Sequence, residues 1–142
     1  MKYFLLIVGI FFNLTAKAEW IFAGEFNLDS GQVYEYYDND LVKSGNIRKI
    51  WVLRNHANLV SKPSRKEGFF SQKILLEFNC KARLIRVKEM IEYSGKMGGG
   101  RVVSSLSSDA VKYGGSWLYD WGEIVPDTNN HEFFKILCST NR

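Results

Sequence analysis

Residues that support metal or nucleophile chemistry are scarce in this chain. The two histidines, His56 and His131, stand 75 positions apart and belong to no cluster of His, Cys and carboxylates. A zinc-type site needs such donors clustered, so no metal and no cofactor is expected. The glycine group Ser94-Gly95-Lys96-Met97-Gly98-Gly99-Gly100 lacks the Gly-Lys-Ser/Thr ending of a phosphate loop and leads into a strand pattern, not a helix whose N-terminus could hold an anion. It reads as a hairpin turn. No nucleophile, base and orienting group converge; His131, seven residues before Cys138, offers at most a Cys-His pair on one helix face. No catalytic residue is therefore assigned, and an enzyme is not expected. Long apolar runs are also missing beyond residues 3–12, and that run falls short of the roughly 20 residues a spanning helix needs. Internal repeats, low-complexity linkers and a second domain are absent from the pattern.

The residues that are present begin with Lys2, the apolar run 3–12, Asn13-Leu14-Thr15 and the small-residue triplet Ala16-Lys17-Ala18. That is the order of a secretory signal, with cleavage before Glu19. A membrane anchor is the rival reading, for which the run is short. The expected organisation is a signal peptide over 1–18 and one domain over 19–142, located in the periplasm, at the cell surface or outside the cell. The mature chain then has no transmembrane segment. No cysteine follows the cleavage site, so a lipid anchor is not expected there. Lys2 and Lys17 leave with the signal, so the formal charge falls from +4 to +2. Export removes nucleic acid from the expected partners. It also takes Cys80 and Cys138 into an oxidising compartment, where two thiols become a disulfide. Closing that span contributes about 4 kcal/mol on the loop-entropy account.

Period-two alternation rich in Val, Ile, Tyr, Phe and Trp predicts strands over residues 20–26, 32–37, 47–55, 70–79, 84–93 and 101–107. Asp29-Ser30-Gly31, Ser44-Gly45-Asn46, Lys62-Pro63-Ser64 and the glycine group supply the turns, which makes an antiparallel meander. Ile74, Leu76, Phe78 and Cys80 share one face of the fourth strand, and Ile85, Val87, Ile91 and Tyr93 are expected to share the buried face of the fifth. Residues 40–43 allow a one-turn helix. After Pro126-Asp127-Thr128, the three-to-four spacing of Phe133, Phe134, Leu137 and Cys138 predicts a capped amphipathic helix carrying the second cysteine. The fold class is α+β and β-rich: a single antiparallel sheet of about six strands with a C-terminal helix disulfide-linked to it.

Charge is unevenly spread. Between Lys43 and Lys88 lie twelve Lys and Arg against Glu67 and Glu77, and six acids precede that block. Either these cations merely solubilise a wet sheet face, or they form a basic surface for acidic proteins or anionic polymers. Arg48, Lys49, Arg86 and Lys88 are its candidate binding residues. Residues 109–120 read as a long loop, where Trp117, Tyr119 and the following Trp121 form either a binding patch or a flap over the sheet end.

The ordered runs Lys43-Ser44-Gly45-Asn46-Ile47-Arg48-Lys49-Ile50-Trp51-Val52-Leu53, Leu76-Glu77-Phe78-Asn79-Cys80-Lys81 and Tyr93-Ser94-Gly95-Lys96-Met97-Gly98, with Val102-Val103, residues 121–126 and Cys138, resemble the surface-adhesin protein E family across nearly the whole mature chain. The resemblance implies a six-stranded antiparallel sheet with a disulfide-tied C-terminal helix. It also implies a non-enzymatic role in binding host extracellular-matrix and serum proteins such as vitronectin, laminin and plasminogen. The alternative is a periplasmic module that supports envelope assembly or inhibits another enzyme. A monomer and a sheet-edge homodimer are both compatible with the pattern.

Overall fold

In the computed structural model the described residues are 19–61, 63, 66–107 and 120–139. Their strands are β1 (Trp20–Leu28), β2 (Gly31–Asp38), β3 (Val42–Ser44), β4 (Ile47–Val60), β5 (Phe69–Asn79), β6 (Leu84–Tyr93), β7 (Val102–Ser107) and β8 (Gly122–Glu123), followed by helix α1 (Asn129–Cys138). One antiparallel sheet runs β1-β2-β4-β5-β6-β7, while β3 pairs with β4 and β8 with β6. The six long strands are those expected from the alternation, joined by short turns as the turn residues require.

The core forms where α1 meets the middle of the sheet. Ile50 and Val52 of β4 and Ile74, Leu76 and Phe78 of β5 alternate onto one face, and Phe133, Phe134 and Leu137 of α1 close over them. Each such side chain contributes about 2 kcal/mol on burial. A ten-residue helix is marginal in isolation, so this packing sustains it. Its start is set by Thr128, whose hydroxyl accepts from the His131 amide at 3.3 Å. Its end is set by the Cys80–Cys138 disulfide, whose Cα atoms lie 5.4 Å apart. The Cys80 amide donates to the Asn46 carbonyl at 2.9 Å, so β5, the β3–β4 turn and the helix terminus meet at one end of the sheet.

Two local expectations are corrected. Residues 40–43 form no helical turn; Val42–Ser44 instead pairs with Ile47–Lys49 around Gly45. In β6, Leu75 faces Glu89 and Leu76 faces Val87, which leaves Lys88 as an extra residue in a bulge. The bulge reverses the alternation, so Ile85 and Val87 stay with the core while Ile91 and Tyr93 turn to the opposite face. Glu92 takes the inward position, at 1% exposure.

The glycine group folds back over that opposite face. Ser71 Oγ donates to the Gly95 carbonyl at 2.6 Å and accepts from the Gly98 amide at 2.9 Å, and the Met97 amide donates to Asn55 Oδ1 at 2.8 Å. Gly98 has φ +72°, and a Cβ there would lie 2.5 Å from Lys73 Cε. The positive φ favours glycine at that position, and the flexible end of Lys73 is the group a side chain there would have to displace.

Candidate functional site

Above the apolar core, the helix-facing side of the sheet carries a polar row one residue per strand. Glu35, Arg54, Gln72 and Glu92 are register partners across β2, β4, β5 and β6. Arg54 Nε donates to Glu35 Oε2 at 2.7 Å, and Asn129 Nδ2 at the start of α1 donates to Glu35 Oε1 at 3.0 Å. Gln72 Nε2 donates to Glu92 Oε1 at 3.1 Å, and its Oε1 lies 3.3 Å from His56 Nε2. His56 is 3% exposed, edge-on to Phe69. Burial lowers its pKa, the Gln72 contact opposes that shift, and the nearby Arg54 charge adds to it. These bonds are cross-strand or helix-to-sheet, which is the pattern of a device that fixes register and helix position.

The twelve-cation block is divided by strand alternation. Arg48 lies on the helix side at 5% exposure and donates to the Gly45 and Ile47 carbonyls at 2.7 and 3.0 Å, so it is not on the surface with its neighbour Lys49. Arg54 is committed to Glu35. Lys73 Nζ lies 5.7 Å from the Trp20 ring centre and 5.3 Å from that of Tyr93. Lys62 and Arg65 lie outside the described residues. What the fold gathers is a different set. Ile47, Asn79 and Leu84 are in register, so the β3–β4 turn and the β5–β6 turn share one end of the sheet. Lys43, Lys49, Lys81, Arg83 and Arg86 lie at or near that end: Lys43 is on the helix side with Arg48, whereas Lys49 and Arg86 are on the other side with Glu77. Lys88 follows further along β6, and Asp120 and Glu123 lie at the same end.

Within the cluster, Glu77 is nearly buried and takes both Arg86 Nε and, at 3.5 Å, Lys49 Nζ. The Arg86 guanidinium sits 4.4 Å from the Trp121 ring centre, which assigns Trp121 to holding Arg86. Arg83 lies 5.1 Å over Phe134 at the helix. Lys88 occupies the β6 bulge. Trp117 and Tyr119 lie outside the described residues. Lys81 and Arg83 were not singled out from the sequence. The signal for them was the turn after Asn79, whose place beside the β3–β4 turn depends on register. Among the described residues, no group of three His, Cys, Asp or Glu could hold a metal, and no helix is long and apolar enough to cross a membrane.

A sheet with one terminal helix stapled to its end and a cationic rim around the staple defines a class of small β-rich module. The family model for surface-adhesin protein E matches residues 20–139, and the chain belongs to that family. A crystal structure of Haemophilus influenzae protein E has the same fold, with a TM-score of 0.52 at 15% identity, covering 82% of this chain and 87% of that one. A search of curated protein sequences finds no match.

Proposed function

We propose that the chain is an exported, non-enzymatic binding module of a bacterial envelope, with residues 1–18 removed as a signal peptide and 19–142 forming the working domain. It engages acidic segments of host matrix or serum proteins, or anionic polymers, through the cationic end of the sheet. The observation that carries this reading is the gathering of Lys43, Lys49, Lys81, Arg83 and Arg86 at or near the disulfide-braced end. Cations outnumber the acids Glu77, Asp120 and Glu123 at this end, and such an excess attracts an oppositely charged partner and speeds its capture. Family membership supports the surface role. The test is retention on immobilised heparin, as a polyanion probe. Binding is expected at about 0.01 M salt and lost near 1 M, because the screening length shortens from about 30 Å to about 3 Å. Lys81→Glu with Arg83→Glu, both exposed, should abolish retention without loss of folding. No retention of the native protein at low salt refutes the electrostatic site. Protease added to intact cells then separates an exposed or released module from one confined to the periplasm.

A further inference from the structure

The lateral edge of the sheet carries the opposite charge. Residues 19–42, which contain β1 and β2, hold Glu19, Glu25, Asp29, Glu35, Asp38 and Asp40 and no Lys or Arg. Among the described residues, Glu35 alone of these six is in an ion pair. On the helix side of this hairpin a cleft of about 250 Å³ opens between β1, β2 and α1, lined by Phe22, Glu35, Tyr37, Glu132, Phe133 and Ile136. Tyr37 and Phe133 make an edge-to-face wall with ring centres 5.9 Å apart. Ile136, at the rim, is 53% exposed, while the Phe22 ring lies edge-on to Tyr36 at 5.5 Å, toward the opposite face of the hairpin. β1 is an outer strand of the sheet with a partner on one side only among the described residues.

We propose that this cleft binds a lysine or arginine side chain presented by an extended segment of a partner protein. The volume falls below the range of about 300 to 1,000 Å³ for sites of drug-sized ligands, and suits a single side chain. The walls are aromatic and aliphatic, which suits a long methylene stem, and the carboxylates suit the charged head. Glu35 Oε2 accepts from Arg54 and Oε1 from Asn129, and a carboxylate offers about four acceptor positions, so it has capacity for a further donor. The Lys135 hydrogen bond and charge hold the Glu132 carboxyl below the usual range, so it stays ionised at the mouth. The acidic hairpin supplies the longer-range attraction for a basic segment, and the outer edge of β1 supplies backbone groups for an extended chain to lie along. The site is independent of the cationic end, and the two together would let one small domain contact partners of opposite charge.

The test is amide chemical-shift mapping on the isotope-labelled full domain, titrated with a short blocked peptide that alternates lysine with valine or threonine. The control peptide has glutamate in place of lysine. Shifts are expected at residues 22–25, 35–37 and 129–136 with the lysine peptide and not with the glutamate peptide. Ile136→Ser with Glu132→Lys, at exposed positions of α1 that leave folding intact, should weaken binding by about tenfold or more, the loss of one apolar and one charged contact. Unmoved cleft amides at millimolar lysine peptide, equal response to the glutamate peptide, or shifts confined to the cationic end would overturn the proposal. So would cleft shifts that follow protein concentration alone, which would make a second copy the occupant.

Discussion

The Glu35–Arg54 pair is asymmetric in a way that sets a measurable order of losses. The Glu35 side chain is 1% exposed and the Arg54 side chain 30% exposed. Arg54→Met keeps the stem volume and strands a buried carboxylate with the neutral Asn129 amide as its remaining donor, a situation that costs about 3–5 kcal/mol. Glu35→Gln keeps the shape and leaves a guanidinium that can turn part of itself to water, so the loss is that of charge-assisted bonds, about 1–2 kcal/mol. The difference of about 2 kcal/mol corresponds to a gap of about 1 M between the two urea midpoints for a domain of this size. The double variant should recover part of the Arg54→Met loss, because no buried charge remains. Urea unfolding of the native protein, both single variants and the double variant completes the cycle. Equal losses for the two singles, or a larger loss for Glu35→Gln, would refute the burial argument.

Two further outcomes follow from the same coordinates. Reducing the disulfide, or replacing Cys80 and Cys138 by serine, releases a link between residues 58 apart in sequence and should cost about 4 kcal/mol, or about 15 °C in Tm; a loss under about 1 kcal/mol would mean that α1 packs unaided. The lowered pKa of His56 means that the unfolded chain takes up its proton first as pH falls. The stability this neutral ring contributes is therefore complete above about pH 6.5 and declines below it until the folded-state pKa is passed, by up to about 1.4 kcal/mol per pH unit. Comparing urea midpoints at pH 7.5 and 5.5, His56→Gln should flatten that part of the profile, and an unchanged slope would place the titration elsewhere.

Alternation, turn residues and a proline-threonine stop were enough to read six strands, the terminal helix and the cysteine pairing, because each rests on contacts within a few residues or, for the disulfide, on there being two cysteines to pair. Alternation failed at Lys88. A bulge adds a residue to one strand and leaves no local mark that distinguishes it from a continuing strand, so Ile91, Tyr93 and Glu92 were assigned to the wrong sides. Arg48 and Lys49 were read together as surface cations although neighbours on a strand must face opposite ways; the structure puts the first inside.

Sequence by itself therefore determined the β-rich class, the order of the six long strands and the terminal helix, the excess of cations in the middle of the chain and the acids before it. Tertiary structure decided which of those charges meet. Glu35 meets Arg54 across nineteen positions and Asn129 across ninety-four, and the Lys43 and Lys81 turns become neighbours through strand register alone. The cleft beside Tyr37 exists because α1 returns from the end of the chain to the first hairpin. Composition sets how much charge and apolar surface a chain holds, but a site is a relation between side chains that only non-local pairing brings within a few ångströms of each other.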